Sequence, residues 1–377
     1  MILGRARVAA AALLATLALA ATASAKPGDV FVADEGEGLF KLGPKGGSAT
    51  LFELPDFSDP SGMTLDTKGK LFIADYGTDG KIYRATRKGG ASVFLEAPAV
   101  VEPTDVALGP DGMLYVADGA AGEGGGAAIL RVNPRTKAVT TWVGDGPSNW
   151  NYTGGIAVAR DLTVYVTDYD DEVFRVDPKT KAVTEFADDP SLDGADGLLL
   201  TPDERFLFVA SWNTDPVNLL NRVDLRNGEV DDFAPFHDIV AVSRFPNGDF
   251  LASDTDDSEG FEGLRRLGRK GSPLTTFSGD SDFDYPHDAV IEPKKCKGKW
   301  PTVVGTDRKE KIKGSKFDDV ISALGGNDKV NAGKGNDIVC AGKGNDKVNG
   351  AKGKDVLKGQ KGRDKLNGGP GKDKEID

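Results

Sequence analysis

The chain is poor in the residues that most often carry chemistry. Its 377 residues include only two histidines, two cysteines and three methionines. It contains no nucleophile elbow, zinc-protease helix or phosphate loop, so no activity can be read from a local motif. Long apolar runs are also missing beyond the N-terminal segment, which excludes a later membrane-spanning helix. That segment has Arg5 and Arg7, an apolar run from Val8 to Ala21, and then Ala23-Ser24-Ala25. It reads as a signal peptide cleaved near Ala25, so 1–25 takes no part in the fold and the mature protein is expected to be exported and soluble. In an oxidising compartment the pair Cys296 and Cys340 favours one disulfide over two free thiols.

Charge is unevenly distributed. The net charge is −12, yet from residue 294 onward 21 Lys/Arg face 12 Asp/Glu. An acidic body followed by a basic tail implies two domains with different surfaces. We place the body at 26–293, a linker at 294–304 and the tail at 305–377. A monomer with no nucleic-acid partner is expected.

The body is repetitive. FVAD, LFIAD, LYVAD, VYVTD, LFVAS and FLASD end at Asp34, Asp75, Asp118, Asp168, Ser211 and Asp254, spaced by 41, 43, 50, 43 and 43 residues. Turn sequences such as GPDG (109–112) and FPNG (245–248) fall between apolar runs. A period of this length, with several short strands in each unit, indicates a β-propeller. The last unit has only an inner strand, HDAVIEP, and the chain start supplies three strands without one. Joining them closes a sixth blade and hides the sheet edges. The fold class is therefore all-β: a six-bladed β-propeller with a split closing blade, followed by a small parallel β-roll.

This body resembles the six-bladed propellers of the NHL-repeat and gluconolactonase superfamily. Aligned inner-strand starts give Ser61-Gly62, Thr104-Asp105, Gly154-Gly155, Asp196-Gly197, His237-Asp238 and His287-Asp288. Asp196, His237, Asp238 and His287 are the candidate catalytic or metal-binding residues of the channel mouth, ringed by the strand-end aspartates in an electronegative funnel. Imidazole with carboxylate suits zinc, manganese or iron, a second divalent metal. The competing assignment for the strand-end aspartates is capping of hairpin amides. The resemblance implies a metal held by a glutamate, asparagines and an aspartate. Asp238 stands for that aspartate, Asp196 replaces an asparagine, and Ser61 and Thr104 stand where the glutamate would be. The streptogramin-inactivating lyases, which use a histidine, have seven blades.

In the tail, Asp319, Asp328, Asp337, Asp346, Asp355, Asp364 and Asp373 recur every nine residues. Gly326, Gly335, Gly344, Gly353 and Gly362 precede five of them by two positions. Ile321, Val330, Val339, Val348, Leu357 and Leu366 follow by two. The pattern resembles the RTX (haemolysin-type) nonapeptide, which implies a parallel β-roll with calcium held by these aspartates and glycine-rich loops. Every second repeat puts a lysine after the acid: Lys311, Lys329, Lys347 and Lys365. The alternate repeats carry Val320, Ile338 and Val356 there. One flank should be a wet lysine ladder. The other should be an apolar stripe covered by the linker, with Trp300 on the stripe and Cys296 bonded to Cys340. Lysines in the loops, such as Lys334 and Lys343, should lower calcium affinity to ~10⁻⁴–10⁻³ M.

The expectation is a secreted calcium-binding protein whose propeller is a platform for a small molecule or protein. Its basic tail offers a surface to an anionic cell-surface polymer. The alternative is a metal-dependent hydrolase, lactonase-like, or a lyase at the channel mouth.

Overall fold

The computed structural model describes residues 26–376, apart from 36–37, 48, 53–56, 78, 123–125, 145–149, 151–152, 213–217, 237, 256–262, 279–282 and 284. The side chains of 218–219 are also outside the description. The expected signal peptide and His237 therefore fall outside the described residues.

Apart from one 3-10 turn at Pro190–Leu192, the described elements are all strands. Six four-stranded antiparallel sheets form the body. Their inner strands are Pro60–Leu65, Pro103–Leu108, Thr153–Val158, Ala195–Leu200, Ile239–Arg244 and Pro286–Ile291. Each contacts the next, and the last contacts the first, so the ring is closed. The closing blade is split as its sequence requires. Val30–Asp34 pairs with Pro286–Ile291, setting Phe31 opposite Val290 and Val32 opposite Ala289.

The second strand of each blade is sandwiched between two neighbouring blades. Leu114–Asp118 and Val164–Asp168 are accordingly buried along their whole length, which is why they read as apolar runs rather than alternating ones. Outer strands such as Val139–Gly144 are half exposed, with Thr140 and Thr141 towards solvent. The core lies between blades. Phe72 and Phe94 pack edge-on at 4.9 Å beside Val106, Leu114 and Val116 of the next blade. Each fully buried side chain of this size contributes ~1.5–3 kcal/mol.

The tail is a roll of two parallel sheets. Successive strands pair at a step of 18: Lys311 with Lys329, Lys347 and Lys365 on one sheet, Val320 with Ile338 and Val356 on the other. Ile312, Ile321, Val330, Val339, Val348 and Leu357 fill the interior. Coil stacking explains the glycine column. A side chain at Gly344 would meet the Gly326 carbonyl oxygen at 1.5 Å, and its φ of +131° disfavours any other residue.

The lysine flank is exposed, and Asn331, Asn349 and Asn367 form a side-chain ladder beside it. On the opposite flank the Cys296–Cys340 disulfide packs with Val320 and Ile338. Trp300 departs from expectation. It is buried against the propeller, where its indole fills the space over Gly69 and stacks with Arg87 and Lys295, each 4.2 Å from the ring centre. Cys296 already occupies the narrow stripe, and the indole finds cations on the other side. Val303–Val304 extends one sheet of the roll by pairing with Ile321–Ser322.

The roll sits against the base of the propeller. Thr302, Val303, Val304 and Asp319 close a cavity of about 200 Å³ whose other wall is Leu108, Val158, Arg160 and Leu200, at the far ends of the inner strands. Asp307 N donates to Pro246 O at 2.5 Å, and Arg308 Nε donates to Asn247 O at 3.4 Å.

Candidate functional site

The roll carries two acid columns, Glu310–Asp328–Asp346–Asp364 and Asp319–Asp337–Asp355–Asp373. Within each, the Oδ1 of one aspartate accepts the backbone N–H of the acid 18 residues earlier. Asp337 Oδ1 takes Asp319 N at 2.8 Å, and Asp346 Oδ1 takes Asp328 N at 2.7 Å. Asp355, Asp364 and Asp373 repeat the bond at 2.9 Å. This contact locks the register between coils. The second oxygen has a different environment. Oδ2 of Asp328, Asp337, Asp346 and Asp355 is buried and accepts no hydrogen bond. An orphaned buried carboxylate oxygen is costly unless a cation completes it. Burial, with the charge of neighbouring acids adding, pushes Asp328 up to about 7 and Asp337 up to about 8. Asp346 and Asp355 are raised by the same causes.

This donor set fits calcium: hard anionic oxygens, turned inward, next to loops rich in backbone carbonyls. The first members of the columns do not share the deficit. Asp319 Oδ2 takes Ser315 N at 2.6 Å and Ser315 Oγ at 2.9 Å, and its Oδ1 takes Thr302 Oγ1 at 3.0 Å. Glu310 Oε2 takes Thr306 N at 2.6 Å. At this end, nearest the propeller, the protein supplies the donors itself. At the far end Glu375 replaces the inward aliphatic residue, is exposed, and accepts Gly368 N at 2.6 Å.

In the propeller the strand-end aspartates are caps. Asp118 accepts Val101 N, Glu102 N and Ala120 N at 2.9–3.1 Å. Asp75 takes Asp59 N at 2.9 Å together with Ser58 and Gly77 N–H groups. Asp34 takes Tyr285 N. These bonds fix the loop that leads into each inner strand.

The inner strands surround a cavity of about 560 Å³ that contains Asp105, Asp196 and Asp288. Strand pairing sets their level. Pro286 lies opposite Asp34 and Ile239 opposite Asp254. Val240 and Ala241 therefore stand level with His287 and Asp288. His237 itself lies outside the described residues. Asp238 precedes its strand, is not on the cavity wall, and uses its carbonyl to accept Thr255 N at 2.9 Å. Asp196 and His287 do line the cavity.

Asp105 and Asp288 tie blades together. Asp105 accepts Ile156 N at 2.8 Å from the next blade, and Asp288 accepts Met63 N at 2.7 Å. Asp105 leans over Gly62, where a side chain would collide with it. Enclosure raises all three carboxyls: Asp105 to about 6, Asp196 to about 7 and Asp288 to about 8, with mutual repulsion adding to the last two. Asp105 and Asp288 stood in the aligned inner-strand starts but were not among the candidate site residues.

At the rim, Glu35, Asp59 and His287 bring ligand atoms within 4.8 Å of one another. His287 Nε2 lies 3.7 Å from Glu35 Oε2. The neighbouring His287 imidazole lowers the Glu35 carboxyl, and burial raises Asp59. Glu35 follows the second strand and Asp59 precedes the first inner strand. Asp59 precedes Pro60 as Glu102 precedes Pro103, but it and Glu35 lie just outside the aligned inner-strand starts, so the sequence did not point to them.

A family model described as the RTX calcium-binding nonapeptide repeat (4 copies) matches residues 304–339 and 341–374. No curated protein matches the chain. Among solved structures, a chain of a nidogen/laminin complex superposes with TM-score 0.58 at 14% identity, covering 71% of this chain and 99% of its own. TolB from Acinetobacter baumannii gives 0.56 at 14%, covering 71% and 67%. A gluconolactonase from Xanthomonas campestris gives 0.49 at 18%, covering 70% and 86%; at that score the superposition says nothing about activity. The first two likenesses concern the propeller fold alone. The C-terminal part of this chain is thus a run of RTX calcium-binding repeats, carried behind a six-bladed propeller.

Proposed function

We propose that this is an exported calcium-binding protein, with a signal peptide at 1–25, a roll consolidated by calcium and a propeller that presents a ligand-binding channel. One observation carries the calcium assignment: four buried Oδ2 atoms, on Asp328, Asp337, Asp346 and Asp355, have no protein donor. Calcium held there would neutralise acids that otherwise repel one another, so binding and folding of the roll are coupled. Gly326, Gly335, Gly344, Gly353 and Gly362 shape the loops. Asp364 and Asp373 extend the columns towards the exposed end, and Asp319 acts as a protein-satisfied cap. The disulfide agrees with export. The exposed lysine ladder offers charge to an anionic cell-surface polymer.

Calorimetric titration of the full chain with calcium tests this. Saturable binding is expected, with fewer sites in Asp337→Asn and Asp355→Asn. A titration without heat, or one that these variants leave unchanged, contradicts the assignment.

A second reading, a metal-dependent hydrolase or lyase, is favoured by the Glu35–Asp59–His287 group at the rim. It predicts manganese or zinc binding that His287→Ala abolishes, together with hydrolysis of a lactone. Metal binding unaffected by His287→Ala would remove its basis.

A further inference from the structure

The channel cavity has a consistent chemical character. Its volume of about 560 Å³ lies in the range of small-molecule sites and is far larger than a bare ion needs. Its wall contains no lysine or arginine among the described residues, yet it includes five carboxylates. Asp105 and Asp288 each accept two backbone N–H groups. Asp196 is different. Its carboxylate accepts no hydrogen bond from any described residue, although it faces the cavity between the other two. The three are not among the groups whose ligand atoms converge within 4.8 Å, so they do not form a cage for one metal ion. Aromatic side chains stand towards the mouth: Tyr76, Tyr169, Trp212 and Tyr285. Trp212 is 40% exposed and packs edge-on to Tyr169 at 6.2 Å. The base of the ring is covered by the roll.

An acidic interior with no lysine or arginine among its described residues, behind an aromatic mouth, selects positive charge carried on carbon. Aromatic faces attract ammonium groups and also cover methylene chains. The unpaired carboxylate supplies a charge-assisted acceptor. A hydrated metal ion would make no use of the aromatic surface or the length of the channel.

We infer that the propeller channel binds a small organic cation, an aliphatic amine, with an ammonium group on Asp196 and its chain against Trp212 and Tyr169. This rests on the reading of the propeller as a ligand-binding platform and names the class of ligand it takes.

The test is calorimetry on the full chain in excess calcium, so that the roll is loaded before the probe is added. Spermidine is the probe and a neutral diol of similar length is the control. Spermidine should bind once per chain and the diol should not. Asp196→Asn should weaken spermidine about tenfold or more, the loss of one charged hydrogen bond. Trp212→Ala, at an exposed position where misfolding is not at issue, should weaken it about threefold. Asp232→Asn, on the outer strand Val230–Phe236, should leave binding unchanged. Equal weakening by Asp232→Asn and Asp196→Asn would show attraction to the acidic surface and overturn the inference. So would spermidine binding that survives both channel variants. Saturable binding of a lactone or of manganese without amine binding would also overturn it, while leaving the platform reading in place. Failure of every probe would count against both.

Discussion

Asp118 in the propeller and Asp337 in the roll look alike in sequence. Each recurs with a fixed period, and each side chain is fully buried. Their surroundings are opposite. Asp118 receives three backbone N–H groups spread over both oxygens. Asp337 receives one, on Oδ1, and its Oδ2 receives none. The first is complete as folded; the second is complete only with a cation. A repeated buried aspartate is therefore not a metal ligand by virtue of its repetition. The donor inventory around each oxygen separates ligand from cap. Asp319 shows the same rule inside the roll. It keeps the period, but Ser315 and Thr302 take the place a cation would fill.

The strongest way to break this comparison is to remove calcium. Chelation should melt the roll and leave the propeller folded, giving two separated transitions by scanning calorimetry where calcium-loaded protein shows a late one. Each site at a hundredfold excess over Kd adds about 2.7 kcal/mol, so the loss over several sites is large. A roll that melts at the same temperature with and without chelator would erase the distinction.

Next come the single aspartates. Asp118→Ala should cost about 3 kcal/mol whether or not calcium is present, because three N–H groups lose their acceptor. Asp337→Asn should cost little in chelator and much more in calcium. Denaturant melts of both variants under both conditions measure the contrast. Equal calcium dependence would show that the two aspartates do the same job.

A smaller effect concerns pH in the channel. Enclosure raises the Asp196 carboxyl to about 7 from an ordinary 3.8. Between those values the folded chain holds a proton that the unfolded chain has released, so this group's contribution to stability falls as pH rises. Asp196→Asn should flatten that fall and raise the propeller melting temperature at pH 8 by a few degrees, the scale of about 1 kcal/mol in a domain of this size. Melting temperatures across pH 5 to 8 provide the readout, and parallel curves for variant and parent would refute it.

The smallest change sharpens the roll itself. Gln360 occupies a loop position with φ of +78°, where Gly342 and Gly369 stand in other repeats. Gln360→Gly should stabilise the roll by about 1 kcal/mol in chelator and in calcium alike, measured by urea melts.

Much of this was legible from residues alone. The forty-odd residue period and the apolar second strands required blades, because a strand buried on both faces shows no alternation. The orphan inner strand HDAVIEP required closure by the chain start. The nine-residue period placed the acids in two columns and the aliphatic residues inside. Two cysteines in the whole chain left one intramolecular pairing, and it formed.

The rest depended on contacts between segments distant in sequence. Asp238 was aligned with Asp288 through its His-Asp dipeptide, whereas pairing sets Ile239 opposite Asp254 and Pro286 opposite Asp34, so Asp238 comes ahead of its strand. A likeness between two dipeptides does not fix a level; pairing with the second strand does. Trp300 went to the propeller because Gly69 left room and Arg87 supplied a cation, neither of which is near it in sequence. Periodicity by itself determined the blades, the coils and the acid columns. Which carboxylate oxygens are left without a donor, on Asp337 and Asp196 as opposed to Asp118 and Asp319, was decided by tertiary structure. A hydrogen bond is a matter of distance and direction between groups that only the folded chain brings together.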